Sequence, residues 1–415
     1  MQTVELNKVK EAASLLSDVV SETPLMLNIH LSQLMNAKVH FKREDLQQVR
    51  SYKIRGAYNK IASLNRDQLA QGVVCASAGN HAQGVAHSCF LKQVHGVIFM
   101  PVPTPKQKVD RVRQFGGEFI EIVLVGDTFD EASEEAMRYC RENNMSFIHP
   151  FDDMKVIEGQ ATIALELLSQ ANTPIDYVFV PVGGGGVASG ISSVLKKLSP
   201  QTKIIGVEPA GAASMSTSLH RGVNTKLDHI DKFIDGASVQ KVGELNFELC
   251  SIHLDQMATV HEGKVCQTIL ELYNTDAIVV EPAGALSVAV LEQFKDEIAG
   301  KNVVCLISGS NNDITRTEEI KERALLHEGV KHYFLVRFPQ RAGALKEFIS
   351  EVLGPNDDIT HFEYSKKHNR NTGPAVIGIE MNGQRDVEAL ITRMKERNYY
   401  GEYLNNKNDL FQMLL

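Results

Sequence analysis

The stretch Tyr177-Val178-Phe179-Val180-Pro181-Val182-Gly183-Gly184-Gly185-Gly186 passes from an apolar run into four glycines, and the next segment carries Val187, Ile191, Val194, Leu195 and Leu198 along one helical face. A run that is apolar on both faces suits a strand covered on both sides, as in a parallel sheet flanked by helices. The same alternation of short β-rich runs and helical patterns extends from about residue 70 to 310, with candidate strands at Val73 to Ala76, Val97 to Met100, Phe119 to Val125, Ile204 to Val207 and Asn302 to Ile307. The class read from this pattern is α/β. Ligands of open α/β sheets gather beyond the C-terminal strand ends. There the sequence places Ser77-Ala78-Gly79-Asn80-His81, the Gly183 to Gly186 run, Glu208, and Ser308-Gly309-Ser310-Asn311, so four polar or glycine-rich loops are expected to converge on one site.

A length of 415 residues allows two or three domains, and 43% hydrophobic with 23% charged residues is ordinary globular usage, so the chain is expected to fold throughout. The net charge of -8, with no long Lys/Arg run, argues against a nucleic-acid partner. Glu5, Lys8, Lys10 and Glu11 leave no apolar secretory signal at the start, and the longest apolar stretches are interrupted by the four glycines and by Glu281-Pro282, so no membrane span is expected. The six cysteines form no Cys-x-x-Cys pair, which reads as reduced core thiols in a cytoplasmic protein.

Near residues 315 to 332 a charged segment leads into a new strand at 332 to 338. Beyond it the order is helix (Leu345, Phe348, Ile349, Val352, Leu353), strand 358 to 364, strand 375 to 381, helix (Val387, Leu390, Ile391, Met394) and an apolar segment around Tyr399 to Leu404. That order predicts a βαββαβ α+β domain of ferredoxin-like type. The expected division is 1–325 and 326–415, with a smaller subdomain at about 46–144 inserted in the first part.

Side-chain-free amides at a helix start form an anion cradle. On local grounds the glycine run fits the phosphate of a non-nucleotide cofactor, a dinucleotide, or a plain turn, since Gly183-x-Gly185-x-x-Ala188 formally matches the dinucleotide fingerprint and Glu208 lies twenty residues beyond Ala188. The segment Ser51-Tyr52-Lys53-Ile54-Arg55-Gly56 decides among them. Together with Ser77-Ala78-Gly79-Asn80-His81-Ala82-Gln83, the glycine run and Ser308 to Asp313, it resembles the fold type II pyridoxal phosphate enzymes, specifically the threonine dehydratases (tryptophan synthase β-like fold, two α/β subdomains), over roughly residues 5 to 325.

The resemblance implies that Lys53 carries the Schiff base to pyridoxal 5'-phosphate and serves as base for the α-proton. It also implies that Gly183, Gly184, Gly185 and Gly186 hold the phosphate, that Asn80 bonds the ring hydroxyl, that Tyr52 packs beside the ring, and that Ser308 faces the pyridine nitrogen. Ser77, Ala78, Gly79, Asn80 and His81 would hold the substrate carboxylate, and Glu281 would lie near the site. The implied reaction is β-elimination and deamination of L-threonine to 2-oxobutanoate and ammonia, with L-serine a poorer substrate.

Two departures bear on the alternatives, an L-serine dehydratase or a serine racemase. Related racemases have a second serine where this chain has Ala78, which favours a dehydratase. Their divalent site pairs a glutamate with an aspartate six residues on, whereas Glu208 is followed there by Ser214, so no divalent metal is expected and a monovalent cation stays open. The tail, with Arg341-Ala342-Gly343-Ala344-Leu345 at its first turn, resembles the ACT-like regulatory domain of the biosynthetic enzymes. It implies isoleucine as effector, valine as a possible opposing one, a homotetramer, and a place in isoleucine synthesis. A non-enzymatic reading, an inert amino-acid-sensing regulator, is opposed by retention of Lys53, Asn80, the glycine run and Ser308.

Overall fold

A computed structural model of the chain describes residues 3–364, 372–381 and 386–407. Its strands are β1 (Leu25–Leu27), β2 (Lys38–Arg43), β3 (Val73–Ala76), β4 (Gly96–Met100), β5 (Ile120–Leu124), β6 (Ser146–Phe147), β7 (Tyr177–Pro181), β8 (Lys203–Pro209), β9 (Gln256–Val260), β10 (Asn302–Ile307), β11 (Lys331–Pro339), β12 (Asp358–Tyr364), β13 (Thr372–Glu380) and β14 (Tyr400–Tyr403). The chain divides into two compact units, Met1–Asp313 and Ile314–Leu415.

The first unit holds two sheets. The larger runs β1-β2-β10-β7-β8-β9, parallel except for the antiparallel edge strand β1. The smaller runs β5-β4-β3-β6 and is parallel throughout, its strands lying between β2 and β7 in the chain. All six strands expected from the sequence in this region form, and β3, β4 and β7 are buried at every position, as strands covered by helices on both faces must be. The stripe after the glycines behaves as expected for Val187, Ile191, Val194 and Leu195, which join the large core; Leu198, at the end of its helix, is exposed.

The two layers meet through helix Lys53–Ala62, which lies against helix Asn80–Lys92 on one side and helix Met154–Gln170 on the other. A Cβ at Gly84 would sit only 3.2 Å from the Lys53 carbonyl, so the missing side chain sets how closely those helices approach. All six cysteines are buried and free of disulfides.

In the second unit the sheet order is β12-β13-β11-β14, antiparallel between neighbours, with helices Ala344–Glu351 and Asp386–Glu396 completing the βαββαβ order. Phe348, Val352, Leu390 and Met394 are buried as their spacing predicts. Leu345 and Ile349 are exposed, because the first helix has fewer than three turns and its buried stripe follows Ala344, Phe348 and Val352. Among the described residues no helix is long and apolar enough to cross a membrane.

Candidate active site

Lys53 opens its helix, and the chain just before it is stitched to the end of β10. Ser51 bridges Gly309, the Tyr52 amide donates to the Ser308 carbonyl at 3.2 Å, and the Ser310 amide donates to the Arg50 carbonyl at 2.9 Å. The lysine of the smaller layer and the serine of the larger one are thereby held in one cleft. The Lys53 amine is half-buried, donates to the Pro150 carbonyl at 2.8 Å and lies 5.4 Å from the centre of the Tyr52 ring. Loss of hydration pushes its pKa down to about 8. Burial, and then the Lys53 charge, push His81 down to about 3, and burial pushes His149 down to about 4, so neither imidazole adds a second cation beside the amine at neutral pH.

Phe151, next in the chain after Pro150, packs on the glycine run. The Phe151 ring lies where a Cβ on Gly184 would be, and a Cβ on Gly183 would come within 2.9 Å of Ala237. Gly185 has φ +95°, a left-handed conformation that favours glycine, and begins the 13-residue helix Gly186–Leu198. The loop is pinned from outside by Asn246, whose side-chain amide donates to the carbonyls of Gly184 at 2.9 Å and Phe151 at 3.1 Å, and by the Gly243 amide, also on the Gly184 carbonyl. What remains toward the cleft is a row of backbone amides at the positive end of a helix.

The third side of the cleft is the loop after β3. Ser77 Oγ accepts from the Gly79 amide at 3.2 Å, Gly79 has open space where a Cβ would stand, and helix Asn80–Lys92 begins there with its first amides lacking helical partners. Asn80 reaches across to the larger layer, donating to Glu281 at 2.6 Å and accepting from the Asn311 side chain at 2.6 Å. Burial first, and the Asp235 charge second, push Glu281 up to about 7. Tyr52, Lys53, Asn80, the glycine run and Ser308 are therefore brought together, with Ala78 and His81 on the same loop and helix as Asn80.

The acid of the fourth loop is taken up by local hydrogen bonds. Glu208, fully buried, turns its carboxylate to the helix that follows, accepting from the Met215 and Ser216 amides at 2.6 and 2.9 Å and from Ser216 Oγ at 2.8 Å. A short downstream helix offers it unpaired amides, and they engage both of its carboxylate oxygens. That leaves the dinucleotide reading without its acidic partner. Four contributors to the site were given no role from sequence: Asn311, Asn246, Pro150 and Phe151. Asn311 sits inside a motif that was recognised. The other three had no usable signal, because β6 before Pro150 has two residues and Asn246 lies in an unremarkable helix.

Comparisons with known proteins match this architecture in both parts. Residues 16–309 match the family of pyridoxal-phosphate dependent enzymes, and residues 322–415 match the C-terminal regulatory domain of threonine dehydratase. A biosynthetic L-threonine dehydratase of Halalkalibacterium halodurans is 52% identical over 415 residues, all of both chains. One of Bacillus subtilis is 53% identical over 412 residues, 99% of this chain and 98% of its own. Among solved structures, the processed form of threonine deaminase isoform 2 from Solanum lycopersicum superposes with a TM-score of 0.72 at 39% identity, covering 78% of this chain and 96% of that one.

Proposed function

This chain belongs to the pyridoxal-phosphate-dependent enzymes and carries the C-terminal regulatory domain of threonine dehydratase, and we propose that it deaminates L-threonine to 2-oxobutanoate and ammonia as a feedback-regulated biosynthetic enzyme. The observation that carries the reading is the meeting of a partly dehydrated lysine, a glycine cradle at a helix start, and a serine at a buried strand end in one cleft. The residues fit a phosphate-bearing aldehyde. The cradle has no room for side chains on Gly183, Gly184 or Gly185, and an amine with a pKa near 8 is partly neutral at physiological pH. When bound, pyridoxal phosphate supplies an electron sink for the α-carbon.

In this reading the Gly183 to Gly186 amides would hold the phosphate, Tyr52 would flank the ring, Asn80 would donate to its hydroxyl oxygen, and the Ser308 hydroxyl would face its nitrogen. A neutral hydroxyl there limits charge build-up on the ring and favours elimination. Lys53 Nζ is the amine that would hold the aldehyde and the base that would be placed for the α-proton. Ser77 Oγ with the amides of Ala78, Gly79, Asn80 and His81 orients the substrate carboxylate, and Ala78 leaves the opposite face without a second acid, which separates the chain from racemases.

The tail is read as the sensor of isoleucine, with valine opposing it, in a cytoplasmic homotetramer. Its support is the regulatory-domain match and the βαββαβ order. The test is release of 2-oxo acid from L-threonine and from L-serine by cofactor-loaded protein, with and without L-isoleucine, beside Lys53→Ala. Threonine turnover that isoleucine suppresses and Lys53→Ala abolishes is the expected result. A Lys53→Ala protein that still turns over would overturn the assignment of the lysine, and turnover indifferent to isoleucine would overturn the sensor.

A further inference from the structure

Asn80 sits in a closed ring of hydrogen bonds that belongs to neither the cradle nor the lysine. The ring has one direction. A backbone carbonyl only accepts, so the Val49 carbonyl, 2.9 Å from the Asn311 side chain, requires that the atom facing it be Asn311 Nδ2. The same Nδ2 lies 2.6 Å from the Asn80 side chain, and the atom facing a donor there must be Asn80 Oδ1. That leaves Asn80 Nδ2 against Glu281 Oε1 at 2.6 Å. The other Glu281 oxygen accepts from the Asn311 backbone amide at 3.2 Å, and the Glu281 backbone amide donates to the Gly309 carbonyl at 3.2 Å. Glu281 is 6% exposed, so water offers little replacement for these partners.

A flip of the Asn80 amide would set nitrogen against nitrogen at Asn311, and oxygen against oxygen at Glu281 whenever that carboxyl is ionised. With Oδ1 and one N–H already engaged, the amide has a single N–H left. We propose that Glu281 and Asn311 are positioning residues that lock the Asn80 amide in one orientation, so that its one remaining N–H is presented as a fixed donor to the ring oxygen of the cofactor. The inference rests on the assignment of Asn80 to that oxygen. The clamp also joins the two layers of the catalytic unit, since Asn80 opens a helix on the smaller sheet, Asn311 follows β10 of the larger one, and Glu281 caps the helix Pro282–Ala289 that packs on it.

The test uses full-length, cofactor-loaded protein and reads the absorbance of the lysine-bound cofactor before any activity. A donor on the ring oxygen favours the yellow form of the chromophore over the near-ultraviolet one. Asn311→Ala is expected to shift the ratio of the two bands about fivefold toward the near-ultraviolet form. It should also lower kcat about tenfold, with KM for L-threonine within about threefold of the parent, since the clamp acts on the cofactor side. Glu281→Gln, which keeps one acceptor for Asn80, should fall between the parent and Glu281→Ala. If Asn311→Ala does not fold, Glu281→Gln carries the test alone. Parent-like bands in folded Asn311→Ala and Glu281→Ala proteins, with an unchanged melting temperature, would overturn the clamp. A parent protein that gives no yellow band and no threonine turnover would instead overturn the proposed function, so the two failures are distinguishable.

Discussion

A lysine amine in water holds its proton up to about pH 10.4, so a lysine that must attack an aldehyde near neutrality has to be relieved of part of its hydration. Lys53 achieves this by position, at the first turn of a helix packed between two others, with a carbonyl rather than a carboxylate as its hydrogen-bond partner. Because the charged form is the disfavoured one, the amine is half neutral at a pKa of about 8 and mostly neutral a pH unit or more above it. When pyridoxal phosphate is added to apo-protein, the rate at which lysine-bound absorbance appears should therefore climb about tenfold per pH unit below that value and level off above it. A rate flat across that range, followed by stopped-flow absorbance, would show that the amine is not what limits capture. Lys53 and Asn80 were legible in the sequence because each stands in a local motif. Asn311 as the partner of Asn80 was not, because 231 residues separate the two and no spacing rule spans such a gap.

At the scale of elements, the passage from β7 through the glycines into helix Gly186–Leu198 was legible from composition alone, since only glycine tolerates both a positive φ and this degree of crowding. Substitution Gly185→Ala meets both penalties, a left-handed backbone at φ +95° and a Cβ 2.8 Å from that of Asn246. The expected outcome is a cofactor dissociation constant raised about tenfold or more, read by spectroscopic titration, with the far-ultraviolet circular dichroism retained. An unchanged constant would mean that the loop does not carry the phosphate. The anchoring of the loop by Asn246 was not legible, because a polar residue on a helix has no signature for the carbonyl it will meet. In the second unit, periodicity gave the right elements but overstated the apolar face of Ala344–Glu351, since a hydrophobic spacing describes a stripe and not how much of it a neighbour covers.

At the scale of the whole molecule, the catalytic unit is held together by charge where a reader of the sequence expects solvent. Arg55, two residues after the lysine in a basic cluster, would ordinarily be a solvated charge, yet it is fully buried. It forms a two-pronged pair with Glu44 at 2.8 Å on both prongs and pairs with Glu166 at 2.6 and 2.9 Å, while Lys42 reaches Glu166 at 2.6 Å. Burial pushes the Glu44 carboxyl up, but the Arg55 guanidinium outweighs it and holds the group below the ordinary carboxylate range. Two cations thus face two anions across β2, helix Lys53–Ala62 and helix Met154–Gln170. Glu44→Gln leaves a buried guanidinium short of its partner and should cost about 3–5 kcal/mol of unfolding free energy, measured by urea denaturation. Glu44→Leu combined with Arg55→Met removes one charge of each sign and should recover most of that loss. A single variant as stable as the parent would show that the network is dispensable.

Periodicity and turn chemistry are local properties, and they were enough for the α/β class, six of the ten strands of the catalytic unit, the βαββαβ tail and the Gly183 to Gly186 turn, while Lys53, Asn80 and Ser308 were read from the resemblance of their local motifs to a known family. Folding decided which of those motifs would meet. It brought strand-end loops into one cleft and tied Glu208 to the amides of the helix that follows it. It also gave Asn80 its clamp and Arg55 its buried partners. A hydrogen bond or ion pair between residues far apart in the chain is set by the packing of the layers that carry them, and packing is a property of the whole chain rather than of any segment in it.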